Sequence, residues 1–122
     1  MIALSIRQPW AQLILDRGKD VENRSWPCPA KHLGTPILLH AGLAKPTDHP
    51  SLYHNMEMQR GGIIGMLQFS ASVTDSMSDW AEPGMHHWVI QWAKSVPFFP
   101  SKGALGFFTV EYPQHLLGGQ HV

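Results

Sequence analysis

Ile2-Ala3-Leu4-Ser5-Ile6-Arg7-Gln8-Pro9-Trp10-Ala11-Gln12-Leu13-Ile14-Leu15-Asp16-Arg17-Gly18 reads as a strand, a break and a short helix. Ile2, Leu4 and Ile6 alternate with smaller or polar residues, the period of a strand with one buried face. Pro9 suits the first turn of a helix, where its missing N–H would have no partner anyway. Trp10, Leu13 and Ile14 follow at i, i+3 and i+4, a stripe that faces a core. Gly18 suits the C-terminal cap. A strand feeding so short a helix, with Arg7 and Gln8 at the junction, sets polar side chains at the mouth of an apolar layer.

The residues beyond fill in the architecture. Lys19 to Trp26 look extended, and Pro27, Pro29 and Gly34 mark an irregular connection. Ile37 to Ala41 form a second strand. A helix beginning near Pro50, capped by Thr47 or Asp48, is expected within residues 47–60, ended by Gly61-Gly62. Ile63 to Val73 are strongly strand-like, with Gly65 permitting a bulge or a close backbone approach. Residues 74–86, rich in Asp, Ser, Pro and Gly, read as a long loop. His87 to Trp92 and Gly106 to Val110 give the last two strands, joined by Ser95 to Pro100 and a Lys102-Gly103 turn. From Glu111 onward only Leu116 and Leu117 promise an apolar contact. Five or six strands, one or two helices and no βαβ rhythm predict an α+β fold: a small, mostly antiparallel β-barrel with peripheral helices. No repeat or linker interrupts it, so residues 1–122 form a single domain.

Composition bounds the function. Hydrophobic residues make up 43% of 122, ordinary for a globular chain and too many for a disordered one. No apolar run approaches the roughly 20 residues of a membrane span, and Arg7 and Pro9 spoil any signal peptide. Cys28 stands alone, which excludes an internal disulfide and a thiolate zinc cluster. A cytoplasmic protein is expected. Nine basic residues balance nine acidic ones, so a long grip on a nucleic-acid backbone is disfavoured. Contact with nucleic acid should be local, through a pocket for one or a few nucleotides. The first 31 residues lean basic, with Arg7, Arg17, Lys19, Arg24 and Lys31 against Asp16, Asp20 and Glu22.

Several side chains carry candidate chemistry. Arg7 can bind a phosphate or a base edge beside the helix N-terminus, or brace the fold by pairing with Glu22. In a regular strand Glu22 and Arg24 share one face while Asn23 takes the other; Lys19, just past the helix cap, is not fixed by that rule. Lys19 and Glu22 can make a plain salt bridge or support proton transfer. Gln8 and Asn23 can read a base edge. Trp10, Trp26 and Trp88 are stacking candidates, Trp10 tending to the core and Trp26 to a cleft. His40, ending a buried strand, reads as a hydrogen-bonded residue at the cleft rim. Lys102 can reach a phosphate or merely cover the barrel end. Eight histidines show no ligand spacing, so no metal and no cofactor is expected.

The run Ser5 to Ala11, then Gly18 to Arg24, Ile37 to Ala41, Gly61 to Gly65, His87-Trp88-Val89 and Lys102 to Phe108 resembles the ASCH domain family. That resemblance implies a PUA-like β-barrel and an RNA-associated module with a cleft beside its first helix. RNA or a nucleotide-like small molecule is the implied partner. Some members of the family are similar to amidohydrolases of acylated cytidine, and a ribonuclease activity is associated with others. Where the deacylating members have a lysine and a threonine nucleophile, this chain has Lys19 and Glu22. Glu22 cannot play the threonine's part directly, but it can activate water as a general base. The expected cleft holds Lys19 and Glu22 as catalytic candidates. Arg7, Gln8, Trp10, Asn23, Arg24, Trp26 and His40 are its binding candidates.

Overall fold

A computed structural model describes residues 1–45 and 56–117. Its elements, in chain order, are β1 (Ile2–Ile6), α1 (Trp10–Asp16), β2 (Val21–Arg24), β3 (Pro36–Ala41), β4 (Gly62–Val73), β5 (His86–Pro100) and β6 (Phe107–Thr109), with 3₁₀ turns at Ala30–His32 and Gln114–Leu116. One mixed sheet contains all six strands in the order β2-β5-β4-β3-β1-β6. Among the described strands only β1 and β3 pair in parallel, and an isolated parallel bridge joins Leu33 to Phe69. The domain is α+β, and no described helix is long and apolar enough to cross a membrane.

Strand alternation sorts the apolar residues onto two faces. Leu4 and Ile6 of β1, with Ile37, Leu39 and Ala41 of β3, pack with Ala11 and Ile14 of α1 in one cluster. Ala3 and Leu38 point the other way and join Val110 and Tyr112. In β4 the parity slips: Ile64 belongs to the first cluster, yet Met66 belongs to the second. The cause is a bulge. Leu39 pairs with Gly65 and His40 with Ile63, leaving one residue of β4 over. Gly65 also meets the close approach that its lack of a side chain allows. A Cβ there would lie 2.8 Å from Leu15 Cδ2 and 2.9 Å from the Lys94 carbonyl.

Four expectations need correction or completion. Ser95 to Pro100 belong to β5 and pair with β4. Beyond Val89 that strand has no β2 beside it, so Pro97 falls on an open edge at an irregular register, where a missing N–H costs little. The segment after Glu111 contributes more than Leu116 and Leu117: Tyr112 is buried and its hydroxyl donates to the Pro97 carbonyl at 2.7 Å. Residues 56–60 carry no regular structure, and the rest of the helix expected over 47–60 lies outside the described residues. By backbone hydrogen bonds the sheet is an open ladder with edges β2 and β6. Two side-chain contacts nonetheless reach across the open side, one from β5 to β6 and one from β2 to β1. Trp88 of β5 stacks on Phe107 of β6 with centroids 5.8 Å apart and planes 4° apart. Arg24 Nη2 at the end of β2 donates to the Ser5 carbonyl of β1 at 3.1 Å.

Candidate functional site

The cleft begins where α1 ends. The amides of Arg17 and Lys19 both donate to the Leu13 carbonyl, at 3.0 and 3.2 Å. Between them Gly18 adopts φ +71°, a left-handed turn that side chains resist. That turn sends Lys19 back beneath Trp10, with Nζ 5.9 Å from its ring centroid. Lys19 donates to the Val21 carbonyl and pairs with Glu22 Oε1 at 3.4 Å. Arg24 Nε donates to the other Glu22 oxygen at 2.9 Å. Strand alternation explains that second contact. The first depends on the glycine turn. Both Lys19 and Glu22 are buried, so their charges compensate each other out of water.

The opposite wall is the loop between β4 and β5. Asp79, Trp80, Ala81, Glu82 and Pro83 face Trp10, Lys19, Glu22 and Asn23 across a cavity of about 480 Å³, within the range of small-molecule sites. Asn23 clamps the loop with both ends of its amide. Nδ2 donates to the Trp80 carbonyl and Oδ1 accepts from the Glu82 amide, each at 3.0 Å. Buried His87 adds a second clamp: Nε2–H donates to the Glu82 carbonyl at 2.7 Å, and Nδ1 accepts from the Ser76 amide at 3.2 Å. The Ser78 hydroxyl donates to Asp20. So many bonds from two strands make this wall a fixed one.

The expected site residues divide among four places. Trp10, Lys19, Glu22 and Asn23 line the cleft. Arg7, Arg24 and Trp26 line a separate groove around the end of β1, joined to the cleft by the Glu22–Arg24 pair. Glu22, instead of pairing with Arg7, pairs with Lys19 and Arg24. Gln8 is fully buried: its Oε1 accepts the Gln12 amide at 2.9 Å, capping α1, and its Nε2 donates to the Gln59 carbonyl at 2.9 Å. His40 is buried on the second face, away from the cleft, with Nδ1 2.9 Å from the Ser5 hydroxyl. Its Nε2 lies 2.7 Å from the Ser101 carbonyl. A carbonyl only accepts, so Nε2 carries the hydrogen. Trp88 is core, its Nε1–H donated to the Trp26 carbonyl at 2.9 Å. Lys102 is exposed and lines none of these hollows.

Trp80 escaped the sequence reading. A lone tryptophan in an otherwise polar loop was the available signal, since loops seldom keep large aromatics without a surface to serve. Among the described residues no cluster of three metal-ligating side chains occurs. Burial pushes the Cys28 thiol up to about 11, so it is an inert, protonated group.

The arrangement can present a planar ligand with two indoles, an ammonium and a carboxylate. Its charge is lopsided, with Glu22, Asp79 and Glu82 against Lys19. A phosphate would meet net repulsion here, whereas an uncharged heterocycle would not. No family model matches the chain, and no curated protein matches it.

Proposed function

We propose that this is an RNA- or nucleotide-binding domain of the ASCH, PUA-like kind that takes one uncharged heterocycle into the cleft beside its first helix. The observation that carries the reading is the buried Lys19–Glu22 pair, 3.4 Å apart, opening between Trp10 and Trp80. A nucleobase offers ring faces for the indoles and an edge with both donors and acceptors for the pair. The contacts from β2 to β1 and from β5 to β6 support the barrel-like relationship, with side chains reaching across what backbone pairing leaves open. A cytoplasmic setting goes with the reading, in keeping with a single buried thiol.

The test is binding of free nucleosides, followed by quenching of indole fluorescence. Each stacked base is worth about 1–3 kcal/mol, so Trp80→Ala should weaken the best nucleoside about 5-fold or more. Salt should hardly matter, because no phosphate is engaged. Failure of all four nucleosides to bind, or indifference to Trp80, would reject the cleft as a base site.

The same buried pair favours a second reading, a hydrolase acting on an acylated nucleoside. Glu22 would take a proton from the water that attacks the acyl carbon while Lys19 holds the developing oxyanion, and Glu22 would return that proton to the exocyclic amine of cytidine as the C–N bond breaks. Incubation with N-acetylcytidine should then release acetate, and Lys19→Ala or Glu22→Ala should abolish the release.

A further inference from the structure

Trp26 is 48% exposed, in a chain that buries Trp88 completely. It forms a ridge between two grooves. Ser5, Arg7, Arg24, Leu43 and Leu105 line the groove on one side, about 440 Å³ in volume. Lys31, His32 and Phe107 line the other, about 430 Å³. Charge sets both apart from the cleft. The charged residues lining them are Arg7, Arg24 and Lys31, and no carboxylate lines either among the described residues. With basic and acidic residues equal in number over the chain, the segregation is local: anions are repelled at the cleft and attracted at the ridge.

The ridge is also braced from behind. The Arg24 guanidinium lies 5.7 Å from the Trp26 centroid and 5.4 Å from that of Trp88, contacts of the cation–π kind. It is held there by Glu22 Oε2 and the Ser5 carbonyl. Arg7 and Lys31, one in each groove, are exposed.

We propose that the Trp26 ridge is a second binding element, on which one base of a single-stranded RNA stacks while Arg7 and Lys31 hold the neighbouring phosphates. It rests on the reading of the protein as an RNA-binding domain and extends that reading from a free heterocycle in the cleft to a base carried in a chain. The Glu22–Arg24 pair links the cleft floor to the foot of the ridge along one face of β2, so one strand can engage both. A docking protein helix would need a continuous apolar strip. Here cations interrupt Trp26, Leu43 and Leu105, which matches the alternation of base and phosphate.

The experiment measures fluorescence anisotropy of a labelled oligouridylate of about 8 nucleotides, with free-nucleoside binding measured beside it. Trp26→Ala should weaken the oligonucleotide about ten-fold and leave nucleoside binding unchanged. Removing Arg7 and Lys31 together should reduce the slope of log affinity against log salt by about 1.4, at about 0.7 per phosphate on a single strand. The Trp26 carbonyl that holds Trp88 survives these changes, and Arg7→Glu, on an exposed side chain, supplies a second loss that does not depend on Trp26. Wild-type affinity and salt slope in all these variants would overturn the ridge while leaving the cleft standing. Trp26-dependent RNA binding without nucleoside uptake would reject the cleft and uphold the ridge. A wild-type protein that holds no oligouridylate but captures a protein through Trp26 would overturn the proposal outright.

Discussion

Lys19, Glu22 and Arg24 form a buried chain of charge in which Glu22 is the middle member. Taking ions out of water costs several kcal/mol each unless partners compensate, so the three side chains are not equivalent. Glu22→Ala leaves two cations facing an empty place, and urea denaturation should show a loss of about 3–5 kcal/mol. Lys19→Met keeps much of the stem's packing and leaves Glu22 paired with Arg24, so its loss should be about 1–2 kcal/mol. Equal losses would mean that Arg24 does not hold Glu22. The sequence shows half of this arrangement. Period-2 alternation puts Glu22 and Arg24 on one face, but the direction of Lys19 hangs on the left-handed turn at Gly18. Gln8 illustrates the opposite failure. Its amide looks like a base reader by residue type, yet it is consumed in capping α1, a choice that depends on where the chain runs around Gln59.

Strands with strong alternation were legible as elements; those defined by their neighbours were not. β1, β3 and β4 carry their apolar pattern openly, and the bulge at Ile64 lies beside Gly65, a glycine amid β-branched and large residues. The second half of β5 contains two prolines, so local chemistry argues for a connection. Pairing with β4 overrides it. The 3₁₀ turn Ala30–His32 is similar, settled by docking: the His32 ring stacks on Phe107 at 3.9 Å and 26°. Burial first, and then the charge of Lys31, hold the His32 pKa below its ordinary value. Folded His32 therefore refuses a proton that the unfolded chain binds as pH falls below about 6.5. Its contribution is intact above that pH and declines on acidification, because the unfolded state then binds more protons. Thermal melts at pH about 7.5 and about 5.5 should show a smaller acid-induced drop in Tm for His32→Phe, which keeps the stack and removes the titration. Parallel drops in variant and wild type would remove His32 from the pH response.

At the scale of the molecule, strand count and turn punctuation led toward a closed barrel, and the mixed six-stranded sheet lacks the ladder that would close one. Closure is a relation between β2 and β6, the two strands farthest apart in sheet order, and no local pattern encodes it. What reaches across the open side is Trp88 of β5 on Phe107 of β6 and Arg24 of β2 to the Ser5 carbonyl of β1, with Trp26 and Trp88 packed against the Arg24 guanidinium. The same side chains form the foot of the Trp26 ridge and neighbour the cleft, so the join of the sheet and the surface proposed to bind RNA are one construction. A seam made of side chains predicts a coupling that a simple ladder lacks. Phe107→Ala should cost about 2 kcal/mol, less than a fully buried phenylalanine because the ring is only half-buried. Its effect on hydrogen exchange should reach beyond β6. Amides of β2, whose backbone pairs only with β5, should lose protection together with those of β6, while the centre of β4 keeps its own. If β2 stayed as protected as in the wild type, the two edges would be independent, and the ridge would rest on β2 and β5 alone.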